Sequence, residues 1–305
     1  MLEAAKVTSG EVKRSAIIEM FAEESDVLRV QPFTDVAGGS YTYTQEGTLP
    51  TVGFRNVGGS WTANQGTLAP FTEQLKIMGG EIDVDTATVK MHGPEVRAVH
   101  ERMKIKRMSS NYNLKFIKGD STTTASEFDG LQVRSLGNQL IAAGATSGGD
   151  ALSLAKLDQL IDAVDEPTHL LVSKAVARLL TAAARTTTVG GFISYSQDEF
   201  GRRVTQYNGL PLLIADRNDY ADAVLGFDEA NPGGGSAVGT SIYCLSFGEG
   251  MLTGLQNGIM EVTDLGQTDA APVFRTRIEW LCAIAPVHAR SFARLWGIKD
   301  AAVVA

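Results

Sequence analysis

Residues 93–120 read GPEVRAVHERMKIKRMSSNYNLKFIKGD. Pro94 stands where a helix can begin without wasting a backbone donor, and Glu95 puts a negative charge in the first turn. Val96, Val99 and Met103 recur at spacings of three and four, and Ile105, Met108, Tyr112 and Phe116 form a second row. Neither glycine nor proline interrupts the run before Gly119. The spacing predicts a single helix over 94–117, about 24 residues and roughly 36 Å long, which is long for a compact domain. Arg97, Arg102, Lys104, Lys106, Arg107, Lys115 and Lys118 stand against Glu95 and Glu101, a net +5 in a chain whose total is -8. A solvated face is the ordinary reading of such a run. The functional one is a basic stripe, Arg97, Arg102, Lys104, Lys106 and Arg107, that meets a polyanion or acidic neighbours.

Toward the N-terminus the texture changes. Between Gly38 and Pro70 only Glu46 and Arg55 are charged, and aromatic residues alternate with threonine and glycine. This reads as two extended strands joined by the glycine-rich region Gly53–Gly59. Such a hairpin cannot build its own core, so Phe54, Arg55 and Trp61 are candidate contact residues that anchor it on something else. Residues 11–30 carry Val12, Ile17, Ile18, Phe21 and Leu28 against Glu19, Glu23, Glu24 and Asp26, the pattern of a short amphipathic arm. Residues 71–91 read as a strand pair turning at Gly79-Gly80.

Toward the C-terminus, a polar loop over 120–126 leads to Glu127-Phe-Asp-Gly-Leu131, where a second domain is expected to begin. Leu154, Leu157, Leu160, Ile161 and Val164 predict a helix, His169–Val172 a strand, and Ser173 a cap for a helix from Lys174. Phe192–Tyr195 reads as a further strand. Asn208-Gly209 is a strong hairpin signal. Gly233–Gly235 reads as a flexible surface loop, followed by strands near Ser241–Phe247, Gly258–Asp264, Phe274–Val287 and Ser291–Ile298. Segregated helices and strands of this kind define an α+β protein.

Composition narrows the classes of function. With 44% hydrophobic and 20% charged residues, the 305-residue chain can bury a sizeable core. Its negative charge argues against a surface that grips nucleic acid all over. Cys244 and Cys282 each sit in an apolar run and read as buried thiols. Residues 1–14 do not form a secretory signal, and no stretch is apolar enough to span a membrane. Gly248, Gly250 and Gly254 imitate a dinucleotide-binding turn with the wrong spacing and no acidic partner. His92 and His100 lie roughly 12 Å apart on a helix, too far to share one metal ion. Asp83 and Asp85 share a face of the expected strand without a histidine, a metal motif or a third acid at a telling spacing, and a solvated edge is the ordinary reading. No catalytic, cofactor-binding or metal-binding set emerges, and the chain is expected not to be an enzyme.

The order of these segments resembles the major capsid proteins of tailed bacteriophages, the Hong Kong 97-type fold. Phe116-Ile-Lys-Gly-Asp120 followed by Glu127-Phe-Asp-Gly-Leu131 is similar to the junction between spine helix and axial domain in that family, and Tyr207-Asn-Gly-Leu-Pro-Leu and the strand region 274–295 are similar too. The resemblance implies an N-terminal arm at 1–35, an extended loop (E-loop) at 36–70, a peripheral domain at 71–126 with its spine helix at 94–117, an axial domain at 127–265, and closing strands at 266–305 that return to both domains. It further implies self-assembly in the host cytoplasm into pentamers and hexamers of an icosahedral shell, which becomes the virion capsid around double-stranded DNA held by proximity without sequence recognition. Portal, scaffolding and decoration proteins are the implied partners, with no membrane and no cofactor. The family's covalent cross-link needs a lysine in the loop, and residues 38–70 contain none, so the shell is expected to be held non-covalently. An encapsulin-like compartment is the alternative with the same fold, and a soluble α+β enzyme without recognisable motifs is the rival of another class.

Overall fold

The computed structural model describes residues 25–93, 95–185, 193–197, 203–215, 223–258, 260–269 and 271–304. The expected amphipathic stretch 11–24, Pro94 and Phe192 lie outside them. After the short helix Asp26–Val30 come β1 (Phe33–Asp35), β2 (Ser40–Glu46), β3 (Leu68–Gln74) and β4 (Lys76–Asp85), then the helix Thr86–His92 and the spine helix Glu95–Lys118. A helical turn Leu131–Arg134 leads to β5 (Leu140–Ala142), the helix Leu154–Asp162, β6 (His169–Val172) and the helix Lys174–Ala183. The rest is β7 (Ile193–Gln197), β8 (Arg203–Tyr207), β9 (Leu210–Ile214), β10 (Thr240–Leu245), β11 (Leu252–Gln256), β12 (Glu261–Gln267), β13 (Val273–Pro286) and β14 (Phe292–Ile298).

Two sheets organise the chain. In the first, the 14-residue strand β13 pairs with β4 along one edge and with β12 and then β11 along the other, and β1 adds to β11 in parallel. In the second, the order is β5-β14-β10-β6-β9-β8-β7. The second sheet is covered on both faces, which explains why every residue of β10 is buried. Ile242 and Cys244 face a core shared with Leu157, Leu160, Val176 and Leu180 of two helices. Tyr243 and Leu245 face the core that the spine helix builds with β13. Burial pushes the Cys244 thiol up to about 12.

The 24-residue spine helix buries Ile105, Met108, Tyr112 and Phe116, the second of the two predicted rows. Tyr112 lies 5.3 Å from Trp280 and 6.0 Å from Phe128 between ring centroids, and Phe33 completes the cluster 5.4 Å from Trp280. Each such side chain contributes about 1.5–3 kcal/mol on leaving water. The first predicted row fares differently, for Val99 and Met103 are exposed.

The Gly79-Gly80 turn is not formed. β4 runs straight through both glycines and keeps ten residues in register with β13, Val273↔Asp85 to Cys282↔Lys76. The glycines are there for close approach: a Cβ on Gly79 would stand 2.3 Å from the Ile278 carbonyl oxygen, and one on Gly80 2.6 Å from Lys104 Nζ. The strand expected to run on to Met91 stops at Asp85, whose carboxylate accepts from Ala87 N and caps the helix Thr86–His92. Asp83 instead takes two 2.7 Å hydrogen bonds from Arg275. The two carboxylates therefore serve different partners and form no pair.

The segment 127–265 contributes strands to both sheets, for β11 and β12 pair in the one that carries the spine helix. Two further expectations are revised. Within 36–70 the strands do not meet near Gly53–Gly59; the ladder runs from Ser40↔Gln74 to Glu46↔Leu68, past residue 70, and 47–67 hold no strand. Gly233–Gly235 is packed against a second loop, with Gly148 N donating to Gly234 O at 3.0 Å and no room for a Cβ on Gly233 beside Ala145 O. The Asn208-Gly209 hairpin forms as read, with both residues at positive φ, 49° and 81°.

The junction phrases have a geometric reason. Gly119 and Gly130 bring two backbones together: Gly130 N donates to Gly119 O at 2.9 Å, and a Cβ on either would meet main-chain atoms within 2.7 Å. Lys115 pairs with Glu127 at 2.6 Å, and Phe116 and Phe128 are both in the core. Asp120 accepts from Thr122 N, Thr122 Oγ1 and Thr123 Oγ1, which hold its carboxyl down at about 2.

Candidate assembly site

β2 and β3 form a two-stranded ribbon whose root is fastened to the body. Arg134 donates to both Glu73 carboxylate oxygens at 2.6 Å, a bidentate pair with each side chain 15% exposed. Desolvation pulls the Arg134 pKa down, but hydrogen bonding and the charge of Glu73 raise it overall. Tyr43 donates to Glu73 Oε1 at 3.2 Å, and burial followed by that carboxylate's charge raises its pKa strongly. Gln45 Nε2 reaches Pro286 O at 2.7 Å, and Asn257 Nδ2 reaches Gly38 O at 2.9 Å. Tyr41, Tyr43 and Phe71 stack in sequence at 6.0 and 5.8 Å.

Beyond the ribbon, Thr48 and Thr67 hold the two limbs together at 2.7 Å through their hydroxyls. The tip has local order without a core. Trp61 Nε1 donates to Gly53 O at 3.0 Å, the Arg55 guanidinium lies 4.5 Å from the Trp61 ring centroid, and Arg55 also donates to Gly59 O at 3.2 Å. Leu49, Val52, Phe54, Val57 and Trp61 are all exposed, Phe54 completely. The structure thus brings Phe54, Arg55 and Trp61 to one apolar tip. A monomer rarely leaves so many large apolar side chains together in water without a partner.

The five basic residues of the spine do not share a surface. Arg97 turns to the first sheet, where it meets Asp264 at 2.5 Å, Thr276 Oγ1 at 2.7 Å and Glu101 at 3.4 Å and lies over the Phe274 ring. Lys104 folds over Gly80 and is half-buried. Arg102, Lys106 and Arg107 are exposed.

Two polar assemblies escaped sequence reading because their members are far apart in the chain. The Glu73–Arg134 pair spans 61 positions. Arg294, buried between the Tyr243 and Trp296 rings, donates to Glu229 Oε2 at 2.9 Å and to Ser241 Oγ at 3.0 Å, fastening the loop after residue 226 to the second sheet. No local signal marks either. His92 and His100 are exposed, while His169, 5.7 Å from the Phe247 ring, has its pKa lowered by burial. Among the described residues no three His, Cys, Asp or Glu side chains are placed to hold a metal ion, and no helix is long and apolar enough to cross a membrane.

A ribbon with an exposed tip, a long spine helix over a sheet that holds a 14-residue strand, and a second sheet beyond a glycine junction are the features of the Hong Kong 97-type fold, and solved structures agree. The chain is similar to the capsid of an empty GTA particle (12% identity, 90% of each chain, TM-score 0.65). It is similar to a chain of Mycobacterium phage Bobi (13% identity, 89% of each chain, TM-score 0.61). It is also similar to the holo-SrpI encapsulin complex from Synechococcus elongatus PCC 7942 (18% identity, 92% of this chain and 89% of that one, TM-score 0.63). At these identities the likeness establishes the fold. The model of the family Major capsid protein GP7 matches residues 9–155. No curated protein matches the sequence.

Proposed function

We propose that the chain self-assembles into pentamers and hexamers of a closed icosahedral shell around double-stranded DNA, with the loop 36–70 of one subunit lying across its neighbour. The supporting observation is the contrast within that loop: its root is held by part-buried ion-pair and hydrogen-bond contacts, while Val52, Phe54, Val57 and Trp61 at its tip stand exposed. Burying such a tip on a second copy supplies association free energy that the isolated subunit cannot gain. Residues 127–265 act as the axial domain where subunits meet, 71–126 as the peripheral one, and 266–305 as closing strands that return to both. Portal, scaffolding and decoration proteins are the further partners, assembly takes place in the host cytoplasm, and subunit contacts are non-covalent. The role is structural, without catalysis. Removing residues 45–65 tests the loop's part: electron micrographs of the expressed variant are expected to show no regular shells, and normal shells would remove the role given to the tip.

An encapsulin-like compartment is the second reading, favoured by the likeness to the encapsulin chain. Nuclease-protected DNA in purified particles supports the capsid, and a packaged protein cargo supports the compartment.

A further inference from the structure

Two asparagines stand directly before a glycine at exposed positions, Asn208-Gly209 and Asn257-Gly258. In such a pair the backbone nitrogen of the glycine can close a five-membered ring on the asparagine side-chain carbon, and without a Cβ on the glycine little bars the approach. The two sites are held differently. Asn208 and Gly209 are the centre of a closed hairpin, both at positive φ, with Tyr207 and Leu210 paired on either side. Asn257 follows the last paired residue of β11, Gln256↔Cys282, and its own backbone N reaches Leu281 O only at 3.4 Å. Gly258 stands at φ 70° with nothing within 4 Å of where a Cβ would be. The Asn257 side chain is bonded through Nδ2, which donates to Gly38 O at 2.9 Å just before the chain enters β2.

We infer that Asn257 is a site of spontaneous deamidation, and that its conversion loosens the root of the ribbon. The Gly258 nitrogen gives up its proton to a solvent base and attacks Asn257 Cγ; the ring C–N bond forms, Nδ2 leaves as ammonia, and water opens the cyclic imide to aspartate or isoaspartate. Nothing is oxidised or reduced, and water is the only co-reactant. The atom that leaves is the donor of the bond to Gly38 O. The carboxylate that replaces the amide has no hydrogen to give, so it meets the Gly38 carbonyl as a second acceptor and the tether becomes a repulsion. Leu75 N, which donates to Gly39 O at 2.9 Å, is the next bond along that corner. Arg134 and Gln45 still hold the ribbon to the body, so the joint is loosened and not lost. The change is one-way and accumulates with the age of the protein. It is independent of what covers the loop tip.

The test is to age the full-length protein in mildly alkaline buffer and map its peptides by mass, with enzymatic methylation to mark isoaspartate. Conversion at Asn257 is expected to run ahead of that at Asn208, and to slow at least several-fold in Gly258→Ala, whose added methyl group is strained at φ 70° but has open space. An intact Asn257, conversion no faster than at Asn208, or a rate indifferent to Gly258→Ala overturns the assignment. The structural consequence is read separately, in protein that has not been aged. Asn257→Asp is expected to speed hydrogen exchange at the Leu75 amide by about threefold or more, and an unchanged rate there overturns the loosening of the root.

Discussion

At the scale of single residues, ionic contacts between distant segments fix how the loop leaves the body. Arg134 and Glu73 are mostly removed from water and bonded through two parallel hydrogen bonds. Loss of one partner strands the other, at a cost of about 3 kcal/mol. Arg134→Ala is therefore expected to lower the unfolding free energy of the dispersed subunit, read from its urea denaturation curve, by an amount of that order, and Arg134→Lys to restore only part, because an ammonium cannot bond both oxygens in a plane. An unchanged midpoint in Arg134→Ala would show the pair to be idle. Asp120 gives a pH test at the spine junction. Its folded pKa, about 2 through hydrogen bonds from Thr122 and Thr123, is below the unfolded carboxylate value of about 3.9. Its contribution is complete above the unfolded value and is lost as the pH falls through about 2. An NMR titration of the Asp120 carboxyl should show a midpoint near 2; a midpoint near 4 would mean the turn is not held as described.

At the scale of elements, legibility depended on whether the signal was local. The spine helix was readable because its stop at Gly119 and its row of Ile105, Met108, Tyr112 and Phe116 are written in the helix itself. The Asn208-Gly209 hairpin was readable for the same reason, as its positive φ values belong to those two residues. β4 was not, since Gly79-Gly80 looks like a turn unless one knows that β13 passes within van der Waals distance. Nor was the helix Thr86–His92, which buries no residue and so has no apolar stripe; only the cap Asp85 announces it. This gives a contrasting pair of substitutions. Gly79→Ala, with its Cβ 2.3 Å from the Ile278 oxygen, should split β4 from β13 and cost several kcal/mol, about 3 or more. Gly58→Ala, at φ 86° in the open loop tip, meets nothing and should cost only about 1 kcal/mol. Thermal unfolding of the two variants separates close approach from turn geometry, and equal losses would favour the turn. In the candidate site, Phe54, Arg55 and Trp61 were found from their poverty of neighbours in sequence, whereas the division of the basic stripe was hidden. Arg97 is drawn away by Asp264 and Thr276, which lie on β12 and β13 far along the chain.

At the scale of the whole molecule, two sheets share a core through the spine helix, and the chain passes between them repeatedly. β11 and β12 return to the first sheet after β10 has joined the second, and β14 goes back to the second after β13. Such long-range pairings leave no trace in local pattern, which is why the sheet that each strand joins was not legible in the sequence. The result is a body from which one ribbon projects with an apolar tip. Leu49, Val52, Phe54, Val57 and Trp61, all exposed, gather there. The proposal that copies of the chain cover the tip in a closed shell is tested most directly by the mass and form of the purified full-length protein, by light scattering together with electron microscopy. Closed particles of megadalton mass are predicted, and a stable small oligomer with the loop tip still accessible would contradict the account.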